Sequence, residues 1–281
     1  MDKVNRLPKT LSDPRHYQIV VLGLLLTYGI AVLDFGIRWQ NALLIITTAL
    51  GIQFLGTRYF KLPRFDPLSP LITSLSLTLL LRTDATWLAV SAAILAIGSK
   101  FFLRYHGKHI FNPANFALVL LMLLSDHAWV SSGQWGSAAI GAFVLACLGL
   151  LVLTRARRAE TTIAFILFYA ALLFGRALWL DDPFSIPLHQ MQNGALLIFS
   201  FFMISDPKTT PNTATGRIIF AGLVASLAYT IQFIYYQPNG PIIALILCAP
   251  VVPLIDSLLC GQIYQWRKPP GREARSIKGV F

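Results

Sequence analysis

From Tyr17 to Tyr264 the chain is a succession of apolar stretches separated by short polar breaks. A bilayer core about 30 Å thick is crossed by about 20 apolar helical residues, and backbone within lipid must satisfy its own hydrogen bonds. Such a series therefore dictates helices. Cutting at the breaks gives ten runs, at residues 17–35, 40–59, 68–82, 85–104, 112–127, 136–154, 161–180, 190–204, 215–236 and 241–264. The third, fifth and eighth are short and bounded by Pro or polar residues, which predicts broken or re-entrant helices. With 56% hydrophobic and 12% charged residues, against about a quarter charged in soluble domains, no separate soluble domain is expected. The expected fold is an all-α polytopic membrane protein of about ten helices, one membrane domain over residues 1–281.

The formal net charge of +11 raises the question of nucleic acid. Its distribution answers that question. Lys and Arg fill alternate breaks: the tail from Lys3 to Arg15, Arg58 to Arg64, Lys100 to Lys108, Arg155 to Arg158, Lys208 to Arg217, and the tail from Arg267 to Lys278. The intervening breaks at Arg38, Arg82 to Asp84, Asp126-His127, Asp181-Asp182 and Gln237 to Asn239 are neutral, acidic or carry a single Arg. Positive charge is retained on the cytoplasmic side, so both termini are expected in the cytoplasm of a protein crossing the inner (plasma) membrane an even number of times. The bilayer is then the partner of the basic loops, and no nucleic acid is expected. Residues 1–16 lack the order of a cleaved signal peptide, so the first run is expected to remain as a span. Cys147, Cys248 and Cys260 lie in apolar runs without paired spacing and read as small core residues. No metal site is expected.

The halves of the chain repeat weakly. Ser76 to Trp87 lies against Ser200 to Pro211, each an apolar helix ending in a charged, Thr-bearing break, and Phe111 to Leu120 lies against Gln237 to Ile246. The partners fall on opposite sides of the membrane by the charge rule. That pattern predicts two inverted five-helix repeats, about 17–127 and 136–264.

Polar residues in such a chain need a reason. In the break from Ser205 to Arg217, Pro207 and Pro211 end the preceding helix and leave its last carbonyls unpaired, a cation-friendly end. Thr213 or Thr215 can cap the next helix, whose first N–H groups favour an anion. The same residues would equally serve as a capped turn between spans. Asp256 lies within the last run after Pro250 and Pro253, and an ionisable residue there is a functional candidate. Arg176 reads as snorkelling to pair with Asp181 or Asp182, Asp34 and Arg38 as a similar surface pair, and His109 as solvated at the interface. The candidate cofactor or ion-pathway residues are Asp206, Lys208, Thr209, Thr210, Thr215, Asn112, Asn115, Asp84 and Asp256. Of these, Asp206, Thr209, Thr210, Asn112, Asn115 and Asp256 are expected to line one site in the cytoplasmic half.

Four separated motifs resemble the membrane subunit shared by sodium-pumping NADH:quinone oxidoreductase, its B subunit, and the Rnf electron-transport complex, its D subunit (the NqrB/RnfD family). They are the Ser-, Thr- and Leu-rich segment from Pro70 to Leu81, Phe111-Asn112-Pro113-Ala114, the stretch from Asp206 to Arg217, and Val252-Pro253-Leu254-Ile255-Asp256, in family order. The resemblance implies a bundle of inverted repeats similar to the urea-transporter architecture, electron transfer coupled to ion movement, Na+ or H+ as the ion, and partner electron-transfer subunits. It also implies flavin. Family members carry FMN esterified to a Thr in an outer loop of S-G-A-T type, but the loop here, Leu124 to Ser137, contains no Thr. No covalent flavin is therefore expected, and FMN or riboflavin would be held noncovalently. Arg82-Thr83-Asp84 also replaces the family's Pro-Pro, marking a compact, divergent member. The alternative is a stand-alone channel or transporter for a small solute or ion, since one architecture hosts many functions.

Overall fold

The computed structural model describes residues 13–130 and 159–264. The expected sixth span, 136–154, Cys147 and most of the loop from Leu124 to Ser137 lie outside the described residues. Each of the other nine apolar runs contains helix.

The first helix, α1 (Pro14–Ala31), starts where Asp13 accepts the Arg15 N–H and Pro14 supplies a first-turn residue that needs no donor. Next come α2 (Trp39–Tyr59) and α3 (Leu68–Leu80), then strand β1 (Leu81–Thr83) and α4 (Thr86–Phe102). A hairpin of β2 (Arg104–Tyr105) and β3 (Lys108–His109) leads to α5 (Pro113–Leu124) and β4 (Ala128–Val130). After the undescribed stretch follow α6 (Ala159–Leu180), α7 (Ser185–Met191) and α8 (Gly194–Ile198), which widens into a π turn over Phe199–Met203. The chain ends in α9 (Ala214–Phe233), α10 (Gly240–Cys248), a 3-10 turn at Ala249–Val251 and α11 (Val252–Leu258). Four helical stretches, Trp39–Tyr59, Ala159–Leu180, Ala214–Phe233 and Gly240–Leu258, are long and apolar enough to cross a bilayer.

The expected short helices are short for the reasons read in the sequence. At 1.5 Å per residue, the 13 residues of α3 and the 12 of α5 reach about 20 Å, less than a bilayer core. In α5, Asn112 caps the Asn115 N–H and Pro113 fixes the first turn. In the eighth run the π turn frees a carbonyl, Ser200 O, which accepts a 2.6 Å bond from Thr162 Oγ1 of α6. The last run is broken by the 3-10 turn at Pro250.

Two features depart from an all-helical expectation. Strands β1 and β4 pair antiparallel, Leu81 opposite Val130, and so tie the end of α3 to the end of α5. The second ribbon, β2 with β3, turns through His106 and Gly107, both at positive φ (47° and 75°), the conformation a two-residue hairpin demands. Runs of two or three residues are too short to show an alternating pattern.

Two stripes of small residues organise the packing. Ala89, Ala92, Ala93 and Ala96 of α4 and Ala221, Val224, Ala225 and Ala228 of α9 are buried, and these helices pack against α2 and α6 respectively. Small side chains let backbones approach closely where lipid offers no hydrophobic drive between helices. Further along, α4 packs on α5 and α9 on α10, while α5 and α10 meet each other. The start of α10 presses so hard on α9 that a Cβ on Gly240 would sit 2.5 Å from the Ala228 carbonyl oxygen. That oxygen lies more than a turn inside the end of α9, so α10 begins below the helix end it follows.

The breaks sort into two ends separated by the length of α2. At one, Arg15 bonds Asp66, Lys208 reaches the Tyr264 carbonyl and Arg217 reaches Glu160. At the other, Arg38 approaches the Asp84 carbonyl and His127 pairs with Asp84. The basic breaks among the described residues, at Arg15, Arg58 to Arg64, Lys100 to Lys108 and Lys208 to Arg217, therefore share one end. Arg176 pairs with Asp182 at 3.3 Å, as expected. The Asp34–Arg38 pair does not form: Asp34 turns the chain at φ 45° and Arg38 points to residue 84 instead. Cys248 is buried, but Cys260 is exposed beyond the end of α11, so it is not a core residue.

Candidate functional site

The polar break after the π turn folds into a knot around Asp206. Its carbonyl accepts the N–H groups of Thr209 and Thr210, each at 3.1 Å, and the Thr210 hydroxyl at 2.9 Å. Its side chain accepts the Lys208 N–H at 2.9 Å on Oδ1 and the Asn112 amide at 3.3 Å on Oδ2. Pro207, between them, cannot compete as a donor and fixes the turn. Thr213, rather than Thr215, caps α9 by accepting the Gly216 N–H at 3.1 Å.

A second knot adjoins the first. Lys108, on β3, donates from Nζ to the Thr210 carbonyl, to Asn212 Oδ1 at 3.2 Å and to Asp256 Oδ2 at 2.8 Å. The other oxygen of Asp256 accepts the Asn212 N–H at 2.7 Å. The two carboxylates of the knots are thus both engaged, as buried charge requires. Asn115, one turn along α5, donates to the Ile242 carbonyl at the start of α10 at 3.1 Å. Its Oδ1 is buried with no partner among the described residues.

A cavity of about 310 Å³ opens beside the Asp206 knot, between α1, α3, the end of α4 and the start of α5. Its cations are Arg15, Arg64, Lys100, Arg104 and Lys208, and its carboxylates are Asp66 and Asp206. Phe101, Phe201 and Phe202 supply apolar wall. Burial, then the nearby charges of Lys100, Arg104 and Lys208, push His109 in this wall down to about 3, so it stays neutral. Burial likewise lowers Lys208, with Asp206 acting in the opposite direction. A second cavity of about 190 Å³ lies towards the other end, where Tyr169, Gln190, Asn193, Gln232 and Asn239 line it with no charged group among the described residues.

Of the candidate residues, Asp206, Thr209, Thr210, Asn112 and Asp256 come together through these knots, and Lys208 joins the cavity wall. Asn115 sits just behind them. Thr215 is exposed in the first turn of α9, and Asp84 is at the far end, exposed and held below the usual carboxylate range by the His127 bond, so neither joins the cluster. Sequence reading missed Lys108, Lys100, Asn212 and the Arg15–Asp66 pair, and it took His109 as solvated where the structure sets it in the cavity wall. For Lys108, the positive-φ signature of His106-Gly107 was the available signal.

A multi-pass helical membrane protein whose broken helices converge on a buried, charged knot is the class this arrangement defines. Residues 125–265, half of the chain, match the sequence profile of the NQR2, RnfD, RnfE family, and the chain belongs to that family. Similar proteins include D subunits of the ion-translocating oxidoreductase complex. One from Tolumonas auensis is 35% identical over 81 residues, covering 29% of this chain and 23% of that protein. Another from Cronobacter sakazakii is 35% identical over 91 residues, 32% of this chain and 26% of that protein. A third, from Escherichia coli, is 28% identical over 141 residues, half of this chain and 36% of the relative. The matched stretches thus span about a quarter to a third of these relatives' own length.

Proposed function

We propose that this protein is an integral subunit of an ion-coupled electron-transport complex, working with other redox subunits and moving Na+ or H+. The observation that carries the reading is the family match over residues 125–265, which covers both the Asp206 knot and Asp256. On this reading both termini lie in the cytoplasm of the inner membrane, a placement supported by the gathering of the described basic breaks at one end. An impermeant thiol reagent added outside intact cells should leave a Lys208→Cys variant unlabelled; labelling there reverses the orientation.

The inverted repeat is supported by parallel details in the two halves. Helices α2 with α4, and α4 with α5, pack as α6 with α9, and α9 with α10. Both α5 and α10 follow an Asn and carry a Pro in the first turn. A bond from Lys100 to Gln53 joins α4 to α2, and one from Tyr169 to Gln232 joins α6 to α9.

A noncovalent flavin fits the larger cavity. Its volume lies in the range of small-molecule sites, its three Phe rings offer apolar wall and its amides and cations offer donors. Asn112 and Gln53 would hold a flavin's polar edge, with Phe101, Phe201 and Phe202 against the ring. When bound, flavin supplies one- and two-electron transfer. The chain's own residues orient the cofactor and exclude water, and Asp206 fixes Asn112 by accepting its amide. Purified protein should show flavin absorbance that leaves the polypeptide on denaturation. Fluorescence retained by the protein band on a denaturing gel would mean covalent attachment. In the assembled complex, Asp206→Asn should abolish ion-coupled turnover while the protein stays folded in the membrane; full activity would return the break to a capped turn.

A conduit for a small solute or ion is a second reading, favoured by one observation. The two cavities approach each other from opposite ends across the Asn115–Ile242 bond. Solute flux through liposomes holding this chain alone separates the readings.

A further inference from the structure

Lys100 is the anomaly of the larger cavity. It sits in the last turn of α4, 6% exposed, and its Nζ donates to Gln53 Oε1 at 3.0 Å and Ser69 Oγ at 2.8 Å, both neutral. Among the described residues no carboxylate contacts it. Burying an ammonium without a counter-charge is costly, and the cost is met in proteins by a paired anion. The carboxylates of the cavity wall are engaged elsewhere: Asp66 Oδ2 holds Arg15 at 2.5 Å, and Asp206 holds the Lys208 N–H and the Asn112 amide. Among the described residues, the five cationic side chains of the wall face these two carboxylates, and Arg15 is held as well by Asp13 at 2.7 Å. Burial keeps His109 neutral in the first place, and the same positive charges add to that effect.

We infer that this cavity takes a ligand bearing a phosphate, whose charge completes the coordination of Lys100. Lys100 is a compact point charge on a buried stem, suited to a single oxyanion, while Arg64 and Arg104 at the rim present planar donors that grip phosphate oxygens. The phosphate could belong to a soluble cofactor or to a lipid headgroup. We commit to the soluble cofactor, because the three Phe side chains in the same cavity wall suit a flat aromatic body. On the flavin reading, on which this choice of body rests, the ligand is FMN rather than riboflavin.

The test uses the full chain in detergent, stripped of bound flavin and titrated with FMN and with riboflavin by fluorescence quenching. FMN should bind about tenfold or more tightly than riboflavin, the least that a charge-assisted hydrogen bond contributes, and the preference should shrink with added salt. In Lys100→Met, which keeps the apolar stem, the preference should fall towards one with riboflavin affinity retained. Should that variant fail to fold, Arg104→Gln at the exposed rim should cut FMN affinity alone. Equal affinity for the two flavins in the natural protein overturns the phosphate site. If neither flavin binds, inorganic phosphate and phosphatidylglycerol micelles distinguish the remaining cases by thermal midpoint. A rise with inorganic phosphate that Lys100→Met abolishes keeps the phosphate site and removes the flavin; a rise with phosphatidylglycerol alone makes the occupant a lipid and overturns the soluble ligand. No rise with either removes the site.

Discussion

The two halves join their helices by bonds in comparable places but of opposite character. Near the basic end, a buried ammonium bridges α4 to α2 through Lys100 and Gln53; near the other end, a phenol and an amide bridge α6 to α9 through Tyr169 and Gln232. Both pairs line cavities, one ringed by cations and one by neutral amides. The shared helix packing shows that the architecture does not require charge at this position. A buried lysine is therefore a feature of the basic cavity's chemistry rather than of the scaffold.

The sharpest way to break this contrast is at the basic end. Lys108→Ala strands the Asp256 carboxylate, and removing one partner of a buried pair costs about 3–5 kcal/mol. The thermal midpoint in detergent should drop steeply, and adding Asp256→Asn should recover part of the loss; no drop would show that the knot is not a structural centre. Gln53→Leu withdraws a partner from a charged donor and should cost about 1.5–3 kcal/mol. Within the second half, Gly240→Ala drives a Cβ into the Ala228 carbonyl and should cost about 1–3 kcal/mol by overpacking, whereas Gly98→Ala in α4 meets open space and should be neutral or stabilising. Tyr169→Phe removes one neutral hydrogen bond and should cost only about 1 kcal/mol. Equal losses in Gln53→Leu and Tyr169→Phe would erase the asymmetry between the two ends. The smallest effect belongs to Asp84. His127 depresses its pKa in the folded state, so any contribution is present above the ordinary carboxylate pKa and is lost as pH falls through the depressed value. Because the pair is exposed, Asp84→Asn should leave the midpoint at neutral pH unchanged within error.

Much of the scaffold was legible because its signals are local. Pro113 and Asn112 announce the start of α5, Pro207 and Pro211 the break after the π turn, and Thr213 the cap of α9, each by what one residue does to its neighbours. The grouping of Asn112 with Asp206 was also foreseeable, since both lie at breaks on the same side by the charge rule. Lys100 and Lys108 were not. In sequence they are loop charges satisfying the positive-inside rule, and their partners lie far along the chain: Gln53 is 47 residues from Lys100, and Asp256 is 148 residues from Lys108. Nothing in local composition tells a lysine that snorkels to water from one that turns inward. The β1–β4 ribbon was hidden for a similar reason, being a pairing of three residues with three across 47 positions of chain.

The hairpin carrying Lys108 bears on how the molecule can move. It belongs to the first half, yet Thr210, Asn212 and Asp256, its three partners, belong to the second. A transporter that rocks one half against the other must let such a junction slide. Here sliding would rupture three contacts to one ammonium at once, and would leave the Asp256 carboxylate with the Asn212 N–H alone. The basic end is thereby pinned like a hinge plate, and any opening between the halves is directed to the opposite end. On the proposed electron-transport reading, a bundle pinned in this way would hold any bound carrier at a constant distance from its partners.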